Sequence, residues 1–161
     1  MNSESIFNHI FMLLLDKPDW SGTWRGMMKV EPAEAGPTQL EVTLELGAFP
    51  TVENNCTKWY GTYRQNGQIQ VIKDYQLCRR NSDDDLFTDE RNGIILDTQW
   101  IGGALVSSYK VDNIFYIAIM RMRGDILEEE IWTVDDKNTN QAVESLRTRA
   151  IYRLEMKRVT V

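Results

Sequence analysis

The stretch Ala104–Val134, ALVSSYKVDNIFYIAIMRMRGDILEEEIWTV, decides the fold. Two short polar breaks cut it, Asp112-Asn113 and Arg123-Gly124-Asp125. The runs between them are rich in Ile, Val, Tyr, Trp and Thr, the side chains that suit a pleated, half-buried surface. Short turns between such runs are hairpin signals, so the segment reads as consecutive antiparallel strands. The middle run is apolar on both faces: Phe115, Ile117 and Ile119 on one, Tyr116, Ala118, Met120 and Met122 on the other. Both faces then need a cover. For the outer one the candidates are an N-terminal helix or a second copy of the chain, so a homodimer is one expectation.

The same grammar extends in both directions. Further turn signals stand at Gln65-Asn66-Gly67-Gln68, Arg91-Asn92-Gly93 and Gly102-Gly103. Asn-Gly is the strongest of them, because both turn positions need positive φ. Leu40, Val42, Leu44 and Leu46 alternate with Glu41, Thr43 and Glu45. Ile69, Val71, Tyr75 and Leu77 share one face, as do Ala150, Tyr152, Leu154 and Met156 opposite Arg149, Arg153, Glu155 and Lys157. One wet face and one dry face is the antiparallel pattern. All four prolines lie in the first fifty residues, which leaves the rest free for continuous sheet. About ten strands are predicted, near 22–30, 39–47, 56–65, 68–78, 84–90, 93–101, 104–111, 114–123, 126–134 and 145–159. That many in a small domain must curl or split, and a closed up-and-down barrel removes the exposed edges. Residues 1–161 read as one barrel domain. Residues 1–18 form its lead-in, with a short amphipathic helix over Ser5–Leu15 capping one end.

Composition narrows the function. The chain has 161 residues and a net charge of −6, a poor match for nucleic acid or an anionic membrane. Its longest apolar run, Ile10–Leu15, is far too short to span a bilayer. No basic segment precedes that run, so no signal peptide is read and the expected location is the cytoplasm. Two cysteines and one histidine exclude a disulfide framework and His-rich metal sites. Asp83–Asp89 lacks the glycine of a calcium loop, so no metal is expected.

Near the start of the first strand stands Gly22-Thr23-Trp24. A Gly-x-Trp there, just after a short N-terminal helix, resembles the signature of the lipocalin and calycin barrels. The resemblance implies that Trp24 closes one barrel end, with a basic side chain of the last strand, Arg149 or Arg153, packed across it. Gly22–Gly26 is also similar to the opening of the nitrobindin-like barrels, which bind haem through a late histidine. No histidine follows His9 here, so no haem and no other cofactor is expected.

Charged residues on an otherwise apolar face are the informative ones, because burying an unpaired charge is costly. Lys73 shares its face with Ile69, Val71, Tyr75 and Leu77; Glu129 shares its face with Leu127 and Ile131. Arg121 is a possible inward partner for either. Trp100 and Tyr109 lie on strands that meet at Gly102-Gly103 and are expected as neighbours, with Ser107 between them. Lys73, Tyr75, Trp100, Ser107, Tyr109, Arg121 and Glu129 are thus the predicted lining of a site for a small, largely apolar molecule. Two alternatives stand beside it. One is an isomerase, cyclase or lyase using Glu129 or Lys73 on a hydrophobic substrate; the other is an interaction module with a filled barrel. A two-residue Asn66-Gly67 turn pairs Gln65 with Gln68 and hence Cys56 with Leu77, which predicts free thiols; a bulge or a longer loop would slip the register by one and bring the two cysteines opposite.

Overall fold

The computed structural model describes residues 17–37, 39–137, 142–143 and 145–160. Ten strands follow one another: β1 (Gly22–Glu31), β2 (Gln39–Leu46), β3 (Cys56–Gln65), β4 (Gln68–Arg79), β5 (Asp85–Asp89), β6 (Ile95–Ile101), β7 (Ala104–Val111), β8 (Ile114–Arg123), β9 (Ile126–Asp135) and β10 (Thr148–Arg158). Every strand pairs antiparallel with its sequence neighbour, and β1 pairs with β10 to close the ring. The result is an all-β, up-and-down ten-strand barrel, consistent with a lipocalin-like fold. Closure leaves no sheet edge to recruit another chain. The only helical piece among the described residues is a 3₁₀ turn at Ala33–Ala35. The expected helix over Ser5–Leu15 lies outside the described residues. No helix among them is long and apolar enough to cross a membrane.

The turn chemistry is as the sequence demands. Asn66 and Gly67 both take positive φ, 50° and 77°, and Gln65 pairs with Gln68 across them. Close approach of backbone explains a second glycine. A Cβ on Gly26 would lie 2.0 Å from the Glu155 carbonyl oxygen, so only glycine lets β1 and β10 close the barrel there.

One register departs from expectation. Arg64 pairs with Ile69, yet the next pair is Tyr63 with Val71, so Gln70 is an extra residue on β4. This bulge slips the hairpin by one and places Cys56 directly opposite Cys78, where the two sulfurs are bonded. The predicted free thiols are therefore corrected to a cross-strand disulfide. The bulge also takes Ile69 off the face that it was expected to share: it pairs with Arg64 and is 51 % exposed.

The core gathers at one end, where β1 begins and β10 finishes. Trp20, Trp24, Leu44, Leu86, Leu127, Leu154 and Met156 are all buried there. Trp20 packs edge-on to Trp59 and Trp100 and stacks on Phe49, with ring centroids 5.4–6.0 Å apart. Trp24 is 1 % exposed, and its indole N–H donates to the Trp20 carbonyl at 2.7 Å. The basic group over it is Arg158, whose guanidinium carbon lies 4.4 Å from the ring centroid. Arg158 also donates to the carbonyls of Asp19 and Ser21, so it ties the lead-in to the last strand. Gly22, at φ 118°, brings the chain past that guanidinium. Arg149 and Arg153 do not take this role. They point outward and pair with Asp135, and with Glu31 and Glu130. Their odd positions on β10 alternate away from Ala150, Leu154 and Met156, which are buried.

Candidate functional site: a polar cavity in the open half of the barrel

Above the aromatic floor the barrel is not filled. An internal cavity of about 90 Å³ opens toward the far end and is bounded by residues of β2 to β9. A vestibule of about 220 Å³ at the mouth shares Tyr63, Lys73, Tyr109 and Ile131 with it and adds Met28, Leu40, Val71, Tyr116 and Tyr152. The inner space is too large for one water and is lined by both polar and apolar groups.

Strand alternation positions each lining group. On β4, Val71, Lys73, Tyr75 and Leu77 point inward; on β3 the opposing inward set is Tyr63, Gly61, Trp59 and Thr57. Gly61 stands directly across from Lys73. It has no side chain to compete with the lysine for space, and a Cβ there would press within 3.1 Å of both Leu44 and Tyr63. On β9 the inward set is Leu127, Glu129 and Ile131, with Met120 and Leu154 flanking Glu129 from β8 and β10. Strands β4 and β9 are five places apart around the ring of ten, so Lys73 and Glu129 project from opposite walls.

Glu129 is the unusual group. One carboxyl oxygen, Oε2, is buried and has no hydrogen-bond partner among the described residues. As a residue Glu129 is half-buried, and it lines the cavity. Burial holds its carboxyl above the usual carboxylate range, and the Lys73 ammonium opposes this. The two are not an ion pair within 4 Å. Lys73 instead sits over the Tyr63 ring, its Nζ 5.0 Å from the centroid, and 6.0 Å from that of Tyr75.

Glu90 also lines the cavity, and the remaining polar groups are hydroxyls and phenols. Thr88 and Thr98 lie with their hydroxyls 3.2 Å apart, and Ser107 donates to the Asp97 carbonyl at 3.0 Å. Burial raises the Tyr63 phenol well above its ordinary range, with Glu129 adding to the effect. Tyr75 and Tyr109 are each pushed up to about 12, first by burial and then by neighbouring Glu90 for Tyr75 and Tyr116 for Tyr109. All three phenols keep their protons at neutral pH and stay available as donors. Tyr109 stacks on Tyr116 at the mouth, centroids 5.2 Å apart and rings within 5° of parallel.

Of the residues singled out from sequence, Lys73, Tyr75, Ser107, Tyr109 and Glu129 line the same cavity. Trp100 does not: it lies below, 7 % exposed, packed on Trp20 and Phe49. Nor is it beside Tyr109, since it pairs across from Leu105 while Tyr109 pairs with Tyr116. Arg121 is on the outside, bonded to Glu128, because Met120 takes the inward position. Sequence reasoning missed Trp59, Tyr63 and Glu90. The signal for the first two was present in the phase of Thr57, Trp59, Gly61 and Tyr63, but Gly61 and the polar ends of β3 hide the alternation. Comparison with protein-family models, with curated proteins and with solved structures finds no match for this chain. Among the described residues no group of three or more His, Cys, Asp or Glu could hold a metal ion.

Proposed function

We propose that the barrel binds a small, largely apolar molecule in its open half, with Lys73, Tyr75, Ser107, Tyr109 and Glu129 as polar anchors around it. The observation that carries this reading is the cavity inside the barrel, lined by Glu129, whose carboxyl oxygen Oε2 is buried without a hydrogen-bond partner among the described residues. A native fold seldom leaves such an atom without a reason, and a bound partner is one. Apolar walls from Leu44, Leu96, Leu105 and Met120 supply the burial energy, and the mouth tyrosines supply flat aromatic contact. A ligand that fills cavity and vestibule would bind at micromolar strength, about −8 kcal/mol. A filled interaction module is disfavoured by the same space.

We infer, too, that the chain belongs with the lipocalin-like barrels. Supporting this are Gly22-x-Trp24 at the closed end and the Arg158 guanidinium across Trp24. The Cys56–Cys78 bridge argues for an oxidising compartment over the cytoplasm, where thiols are kept reduced.

Trp59 borders the cavity and is the natural reporter. Titration of apolar ligands should change tryptophan fluorescence saturably, and native mass spectrometry of protein from its own source should show added mass. An unliganded protein that gives no saturable signal with any small apolar compound would sink the proposal. One observation favours a second reading, catalysis on the same ligand: a carboxyl shifted upward inside a cavity is suited to general acid–base work. A pH–rate profile abolished by Glu129→Gln would establish it.

A further inference from the structure

We propose that the open half is a two-compartment site whose ligand is an arene carrying a short unbranched chain, with the ring in the vestibule and the chain in the inner cavity. This deepens the binding reading above and rests on it. Volume sets the division. An apolar protein cavity of roughly 150 Å³ holds a benzene molecule. The inner cavity, at about 90 Å³, is smaller than that, and the vestibule, at about 220 Å³, is larger. A ring is therefore accommodated at the mouth and not beneath it. The inner space still equals about three times the share of liquid volume that one water takes, room for a chain of about three carbons.

The walls agree with that division. Tyr63, Lys73, Tyr109 and Ile131 border both spaces and come from β3, β4, β7 and β9, so they form a waist between the two. Tyr63 lies back along its own strand over Gly61, where a Cβ would come within 3.1 Å of its ring. A side chain at position 61 would push that ring into the passage. At the mouth, Tyr116 and Tyr152 join Tyr63 and Tyr109, and the rings of Tyr109 and Tyr116 are parallel. Aromatic faces favour contact with another ring. Below the waist, Leu96, Leu105, Ala118 and Met120 give apolar contact, and the Thr88, Thr98 and Ser107 hydroxyls have partners within the wall. A slim apolar chain passes such a surface without breaking those bonds.

Toluene, mesitylene, n-propylbenzene and n-hexylbenzene, titrated by calorimetry at neutral pH, test the division. All four are uncharged, so Lys73, Glu90 and Glu129 meet no ligand charge and shape alone is compared. Mesitylene and n-propylbenzene are isomers, and n-propylbenzene should bind about tenfold tighter, the worth of nearly two buried methylene groups. The longer chain of n-hexylbenzene should gain no more than about twofold beyond that, since a filled chamber buries no further methylene. Trp59 borders the inner cavity and not the vestibule, so its fluorescence, read as the signal lost in Trp59→Phe, should respond to n-propylbenzene and not to mesitylene. Ala118→Leu fills the inner cavity and should bring n-propylbenzene down to mesitylene. Tyr116→Leu, in the vestibule, should weaken both isomers alike, by about threefold. The isomer comparison on the unaltered protein stands where a variant folds poorly. Mesitylene as tight as n-propylbenzene, an undiminished gain at n-hexylbenzene, an equal Trp59 response to the two isomers, a gap that survives Ala118→Leu, or a Tyr116→Leu loss confined to n-propylbenzene overturns the two-compartment inference while leaving the cavity as a binding site. Binding of none of the four overturns both.

Discussion

The two halves of this barrel are made by the same strands and differ in nearly everything else. On β9, Leu127 is fully buried at the closed end, while Glu129, two residues along the same face, fronts a cavity. On β6, Trp100 packs in the aromatic floor and Leu96 lines the space above it. The closed half is solid: Trp20, Trp24, Phe49 and Trp100 interlock, and Arg158 seals them. In the open half the tyrosines, Lys73 and Glu129 leave room between them. Dense packing stabilises the closed half, while the open half tolerates a buried polar group at a cost. The difference teaches that one closed end is enough to hold a barrel whose other end is left open.

The comparison breaks most visibly at Trp24. Trp24→Ala removes a fully buried indole and its bond to Trp20, and should cost about 3–5 kcal/mol by denaturant unfolding. A cost below that of a surface substitution would mean that the closed half is not where stability lies. Next is the disulfide. It links residues 22 apart in sequence on β3 and β4, and a Cys56→Ser/Cys78→Ser double variant should lose about 2–4 kcal/mol. Mass spectrometry under denaturing, non-reducing conditions with a thiol-alkylating reagent should find no free thiol.

The open half should respond in the opposite direction. Glu129→Gln should stabilise the unliganded protein at neutral pH by about 1–2 kcal/mol, because a buried carboxyl without a partner costs more than an amide. The folded state holds the Glu129 proton at pH values where the unfolded chain has released it. Over that window the folded protein binds more protons, so its stability falls as pH rises. The penalty is absent below the ordinary carboxylate range and complete above the raised folded-state value. The gain from Glu129→Gln should therefore shrink as the pH is lowered. Of the groups near Glu129, Tyr63 and Tyr109 stay neutral across that window because their phenols are raised. A gain that grows toward low pH would contradict the assigned burial.

The smallest effects test the seal. Arg158→Ala should cost about 0.5–2 kcal/mol through the lost contact with Trp24. Arg149→Ala and Arg153→Ala remove only exposed ion pairs and should stay within about 0.5 kcal/mol of the parent. Thermal unfolding of the three side by side ranks them, and an Arg153 effect equal to that of Arg158 would undo the assignment.

Much of the architecture follows from the sequence, because a period of two and turn residues that need positive φ are local properties. Asn66-Gly67, Gly102-Gly103 and Gly124 mark turns wherever the rest of the chain goes, and ten antiparallel strands have few ways to hide their edges. Lys73 and Glu129 were legible for the same reason: a charge in phase with leucines and isoleucines must face inward. The phase of Ala150, Tyr152, Leu154 and Met156 also carried Arg158 inward and Arg149 and Arg153 outward, a signal that local reading of Trp24 passed over. The tertiary structure alone decided three things. Strand β8 is apolar on both faces, so only its pairing with β7 and β9 turned Met120 in and Arg121 out. The extra residue at Gln70 left no mark in composition, yet it joined Cys56 to Cys78. The distance of each inward side chain from the aromatic floor depends on register around the whole ring, and that register made Trp100 part of the floor and Glu129 part of the cavity wall.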